Sequence, residues 1–233
     1  NVDPDGFPDD WEQGELAGRA LARFDGLGMA YEEAKALTNL ALAASRRQDV
    51  PRRQQLFARA RELFAREGNQ VWLARLDLYE ALVLYRDEQY GPARRLCKHA
   101  LELFARAAVP AKAALCELLL ARLELQTGDL QAAERACHAA FGRLAGVEAP
   151  NFTTQANFVL GLIHEARGER AAAYAAFQEA HRGLEHLRSR LQAENLKVAF
   201  LEDKLAVYES LVTTCLALGT AREYRAAAFG YIE

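Results

Sequence analysis

The feature that most constrains this chain is self-similarity at a shift of forty residues. Phe24, Phe64, Phe104 and Leu144 share one register, Ala20, Ala60, Ala100, Ala140 and Ala180 a second, and Ala41, Ala81, Ala121 and Gly161 a third. Large residues recurring in step with small ones suit packed helices: the small residue lets two axes approach, and the large one fills the adjoining groove. Such an array buries apolar surface by stacking each repeat on the next.

The same shift aligns the helix breakers. Gln48-Asp49, Glu88-Gln89, Gly128-Asp129 and Gly168-Glu169 mark one turn per repeat, while Gly28 with Gly68, and Pro110 with Pro150, mark a second. Each repeat is therefore a pair of antiparallel helices. Pro51 and Pro92 come just after the inner turn, in the first helical turn where a missing N–H costs nothing. Between turns the apolar residues keep helical spacing, as in Leu37, Leu40, Ala41, Ala44 and in Leu56, Phe57, Ala60, Leu63, Phe64. Helices are predicted over about 11–27, 31–47, 51–66, 70–87, 91–107, 111–127, 130–146, 151–167, 170–187, 192–218 and 220–232. No strand pattern competes.

This pattern divides the chain into an acidic leader at 1–10, repeats over 11–188, and an extended helical hairpin at 189–233. Asp9-Asp10 offers an N-cap before Trp11, so 11–27 reads as the second helix of a truncated repeat. Full repeats are placed at about 31–67, 70–107, 111–147 and 151–188. Beyond them the period slips by eleven residues, about three helical turns, which lengthens a helix without rotating its buried face. A long penultimate helix is expected, burying Leu191, Phe200, Leu201, Leu205, Tyr208, Leu211, Val212 and Cys215. The start at Asn1, the single Met29 and the apolar run from Ala226 to Ile232 lead us to expect a fragment of a longer polypeptide with a downstream domain.

The words Leu160-Gly161, Gly168-Glu169, Ala173-x-x-x-Phe177 and Ala180 resemble the tetratricopeptide repeat. Elsewhere the Ala-x-x-x-aromatic step becomes Ala93-x-x-x-Cys97 and Ala133-x-x-x-Cys137, and Arg53 replaces the alanine before Phe57. The resemblance implies an all-α, right-handed superhelix, an α-solenoid, and a protein-binding role without catalysis. The forty-residue period exceeds the family's usual thirty-four and implies longer helices. Leu187-Arg188-Ser189-Arg190, Leu196 to Phe200, Val207-Tyr208-Glu209 and Ala228-Phe229-x-x-Ile232-Glu233 resemble the segment preceding the caspase-like domain of bacterial tetratricopeptide-linked CHAT proteins. That resemblance bears on the identity of a C-terminal neighbour rather than on the role of the repeats themselves.

In tetratricopeptide stacks the first helices line the concave surface. Three lines in register would face a partner: Thr38, Leu78, Leu118, Phe158; then Leu42, Leu82, Arg122, Leu162; then Asn39, Tyr79, Leu119, Val159. An exposed apolar face of this extent marks an interaction site, and a trough between helices suits a partner helix with periodic anchors. Lys35, Arg46, Arg75, Tyr85, Arg86 and Gln126 on its rim would orient a ligand, with arginine forks favouring carboxylates. The family's Lys/Asn clamp for a C-terminal carboxylate is not matched, since Leu42 stands at its asparagine. The alternative is structural: the same stripe buried internally or used for self-association into a homodimer, making the chain a spacer.

Other chemistries find little support. A formal charge of −3 spread over interleaved acids and bases makes no field for nucleic acid or anionic membrane. Arg46-Arg47, Arg52-Arg53 and Arg94-Arg95 read as a solvated edge, lacking interleaved aromatics. No run approaches the roughly 18 apolar residues of a membrane span. Cys97, Cys116, Cys137 and Cys215 are too scattered for a metal site and read as small buried hydrophobes in a reducing cytoplasm. His181 and His186 lie on different helix faces, and Cys137 diverges from His138 by about 100°. Paired carboxylates are expected only on exposed faces or caps. No cofactor, metal or enzymatic activity is expected.

Overall fold

The computed structural model describes Arg19, Arg23, Phe24, residues 29–189 and residues 205–218. Among them the regular structure is helical: α1 (Ala30–Arg46), α2 (Val50–Arg66), α3 (Gln70–Arg86), α4 (Tyr90–Arg106), α5 (Pro110–Gln126), α6 (Leu130–Leu144), α7 (Pro150–Ala166), α8 (Arg170–Ser189) and α9 (Leu205–Leu218). From α1 to α8 a helix begins every twenty residues, so each forty-residue repeat is two nearly equal helix-and-turn halves. The expected boundaries hold to within about two residues from α1 to α8. The expected helix at 220–232 lies outside the described residues; of that at 11–27 only Arg19, Arg23 and Phe24 are described, all helical.

The turns share one mechanism. The residue after each C-cap takes a left-handed backbone, with φ of +58° at Gln48, +63° at Gly68, +59° at Glu88, +54° at Ala108, +82° at Gly128 and +75° at Gly168. The next N–H then reaches back to satisfy an orphan carbonyl, as from Asp49 to Ala44 O at 3.0 Å and from Glu169 to His164 O at 2.9 Å. That same residue opens the following helix. Asp49, Asn69 and Asp129 each accept from the N–H three residues on, at 3.2, 3.2 and 2.9 Å. One residue thus closes one helix and caps the next, which makes a three-residue turn sufficient.

The chain divides into two compact units, one reaching Cys116 and the other beginning at Glu117. In the first, α1 packs on α2 and α3 on α4, with α2 against α3 and α1 alongside α3. Its core joins Ala34, Leu37, Ala41, Phe57, Ala60, Leu63, Phe64 and Leu76. In the second, α6 packs on α7, α7 on α8 and α8 on α9, and a core forms from Ala173, Phe177, Ala180, Leu184, Val207 and Leu211. The repeated small residues are buried as the register requires, with Ala41, Ala60, Ala81, Ala100, Ala121, Ala140 and Ala180 inaccessible to solvent. At Gly161 a methyl group would overlap the Phe177 ring, so only glycine permits this approach of α7 to α8.

The penultimate helix departs from expectation in its buried face. Val207, Leu211, Thr214 and Cys215 turn inward, whereas Leu205 is 54% exposed. Packing of α9 on α8 selects the line 207, 211, 214, 215, and Leu205 lies about 120° around the helix from Leu211. Leu191, Phe200 and Leu201 lie outside the described residues.

Candidate interaction surface

The first-helix face of the first unit is built by α1 and α3, whose side-by-side packing leaves one side of each helix uncovered by α2 and α4. Asn39, Arg46, Leu82 and Arg86 are exposed there, while Lys35, Leu42, Arg75, Tyr79 and Tyr85 are half-buried. An aromatic cluster anchors one end. Trp72 stacks on Phe64 at 5.4 Å and meets the edge of Tyr31 at 5.6 Å. The Arg75 guanidinium lies over the Trp72 ring at 4.2 Å, and Lys35 Nζ approaches the same ring at 5.7 Å. Arg75 Nη2 donates to the Tyr79 hydroxyl at 3.2 Å, and Lys35 pairs with Glu32 at 2.9 Å. At the other end Arg86 Nη2 donates to Ser45 Oγ at 2.6 Å, and Tyr85 tilts against Tyr90 at 5.9 Å.

The apolar line drawn from the sequence is corrected. Thr38, Leu78 and Leu118, with Leu119 and Val159 beside them, are no more than 3% exposed and serve packing rather than a free face. These positions lie on the edge of the stripe nearest the core. In the second unit Phe158 and Leu162 are half-buried against the cluster formed by α8 and α9, Phe158 standing 5.7 Å from the Phe177 ring. Arg122 is exposed. The face that remains open in the first unit is therefore cationic and aromatic, with Leu82 as its exposed leucine, rather than a continuous apolar trough.

A second polar arrangement was not anticipated. Asp77, two residues before Tyr79 on α3, is wholly inaccessible to solvent. Arg61 of α2 donates to one of its oxygens, and His99 Nδ1 of α4 lies 2.6 Å from the other. Arg61 Nη2 also donates to Glu80 at 2.8 Å. Burial works against the Arg61 charge, but Asp77 and Glu80 outweigh it and hold its pKa above the ordinary arginine value. Forty residues on, Glu117 is again a buried acid, accepting from Arg143 at 3.1 Å. Carboxylates are thus not confined to surfaces and caps. The sequence carries only a partial signal: Asp77 stands between Leu76 and Leu78, where a buried acid needs a hydrogen-bonding partner, but nothing in the sequence names the helix that supplies it.

Arg53, expected on a solvated basic edge, is instead buried and bonded to Asp87 at 2.6 Å. All four cysteines are buried with free thiols. Cys97 and Cys137, in register, donate to the carbonyls of Cys116 and Ala156 at 3.2 and 3.5 Å, and burial raises the Cys137 thiol to about 12. Such thiols are poor nucleophiles. Among the described residues no helix is long and apolar enough to cross a membrane, and no group of three or more His, Cys, Asp or Glu could hold a metal.

The fold has a solved counterpart. The chain is similar to the crystal structure of BtubC (BKLC) from P. vanneervenii, with a TM-score of 0.78 over 97% of this chain and 90% of that one, at 16% identity. At that identity the likeness shows the fold alone, a helical repeat. No family model matches the sequence, and no curated protein matches it.

Proposed function

We propose that this chain is a non-catalytic interaction scaffold of the tetratricopeptide type, which receives a peptide, helix or partner domain on the first-helix face of its first unit. The observation that carries this reading is the open stripe of α1 and α3. It combines exposed Asn39, Leu82, Arg46 and Arg86 with half-buried Arg75 and Tyr79. Arginine and tyrosine dominate the energetics of protein interfaces because they offer broad contact area with directional hydrogen bonds. The close fit of Gly161 to Phe177, within the words Leu160-Gly161 and Ala173-x-x-x-Phe177, supports the tetratricopeptide assignment. Buried reduced cysteines suit a cytoplasmic protein. Coupling of binding to a downstream CHAT-type effector belongs to the same proposal and rests on the sequence words between Leu187 and Glu233.

A structural reading is favoured by a separate observation in the second unit, where Phe158 and Leu162 are taken up by packing with α8 and α9. A photo-crosslinking residue placed at Asn39 or at Leu82 in the full-length protein separates the two. Heterotypic adducts from these sites, absent from a control at exposed Arg66 of α2, are the expected result. Homotypic adducts alone would favour self-association, and no adduct beyond the control would reject the scaffold.

A further inference from the structure

A cleft of about 470 Å³ opens along α2 beside α3, lined by Gln54, Ala58, Arg61, Glu62, Ala65 and Glu80. The five residues from α2 are spaced mostly three or four apart, which places them on one side of that helix. Ala58 and Ala65 are exposed and leave their methyl groups as apolar walls, with Gln54 and Glu62 exposed beside them. Arg61 and Glu80 are half-buried. Small side chains make the room, and charged ones close its floor.

The lining carries more acid than base. Its cation, Arg61, is already committed to buried Asp77 and, at 2.8 Å, to Glu80, while the second oxygen of Asp77 faces His99. Glu62 pairs with Arg59 at 3.4 Å on the same helix, an exposed contact that solvent weakens. Two carboxylates, Glu62 and Glu80, therefore border an apolar-walled space whose one guanidinium is shared with a third acid. This is particular to one repeat. Forty residues on, the equivalent positions hold Arg94, Lys98, Leu101, Glu102, Ala105 and Leu120, so a leucine pair replaces Arg61 and Glu80. An ion set where leucines can serve adds little stability, because desolvation offsets its attraction. What it changes is the chemistry presented to the cleft.

We infer that this cleft binds an alkylguanidinium group, its planar cation on Glu80 and Glu62 and its stem against Ala58 and Ala65. A guanidinium suits the site better than an ammonium, since it is weakly hydrated and its fork can meet two carboxylates at once. An alkyl stem lies on apolar walls while its charged head reaches the acids. The group can be that of a free small molecule or of an arginine side chain in a partner. The site is separate from the α1–α3 face, so the scaffold reading does not depend on it, and Arg66 stands about 100° around α2 from Ala65.

The test titrates the full chain with butylguanidinium and follows the methyl resonances of Ala58 and Ala65 and the Arg61 Nε–H. Shifts at all three are expected, with butylurea, a neutral analogue of the same shape, at least about tenfold weaker. Glu80→Gln should weaken butylguanidinium to a similar degree. Ala65→Leu, at an exposed position, fills the cleft and should abolish binding with thermal unfolding unchanged. The source is read from acetyl-Ala-Ala-Arg-Ala-Ala-amide: binding about tenfold tighter than butylguanidinium assigns the site to a partner's arginine, and equal or weaker binding assigns it to a free small molecule. Equal response to butylurea, no response to either guanidinium probe up to about 10 mM, or undiminished binding in Ala65→Leu would overturn the inference.

Discussion

Leu78 and Leu82 lie one turn apart on α3 and have opposite fates, the first 1% and the second 37% exposed. Leu78→Ala should cost about 2–5 kcal/mol, because it removes transfer free energy and leaves a cavity. Leu82→Ala should stay within about 0.5 kcal/mol. Urea denaturation of the two variants checks the assignment, and a large loss for Leu82 would mean that the stripe is core. Asp77 offers a second test. Arg61→Ala leaves its buried charge with His99 alone and should cost about 1–3 kcal/mol. Adding Asp77→Asn removes that charge, and the double variant is expected to regain part of the loss. A double variant less stable than Arg61→Ala would show that the pair does not act through charge.

Among the helices, the turns carry the clearest energetic difference between repeats. Ala108 adopts a φ of +54° where Gly128 and Gly168 fill equivalent left-handed positions. A side chain there costs about 1–2 kcal/mol. Ala108→Gly should therefore raise stability by up to about 1 kcal/mol and Gly128→Ala lower it by a similar amount, measured as shifts in thermal midpoint. The contact of α8 with α9 should respond to pH. His181 meets the edge of Tyr208 at 5.1 Å, and burial lowers its pKa below the ordinary histidine value, with Glu185 opposing and Arg188 assisting. A base with a depressed folded pKa binds fewer protons folded than unfolded. Its contribution is complete above the ordinary histidine range near pH 6.5 and is lost as pH falls through the lowered folded value. The second unit should lose stability over that window, and His181→Gln should flatten the profile.

At the scale of the whole molecule, repeat stacking predicts that damage stays close to its source, because each helix pair draws its stability from its neighbours. Gly161→Ala forces a methyl into the Phe177 ring and should cost about 1–3 kcal/mol by overpacking. Hydrogen exchange should quicken in α7 and α8 and remain near its original rate in α1 to α4. Uniform loss of protection along the chain would indicate one cooperative unit instead.

Among the described residues, the order and bounds of α1 to α8 could be read from the sequence, because breakers and small residues act through local backbone geometry and recur every forty positions. Phe64, Phe104, Ala60 and Ala100 were legible as core for the same reason: a periodic contact needs only the period to be recognised. The candidate surface was legible in part. Lys35, Arg75 and Arg86 lie on the open stripe, while Leu78 and Leu118 do not, since helical spacing fixes an angle around an axis but not where a neighbour's edge falls. The pairing of Asp77 with Arg61 and His99, and the inward turn of Val207 in place of Leu205, depended on side chains from separate helices meeting in space. Such contacts leave no periodic mark, and only the packed structure chose among them.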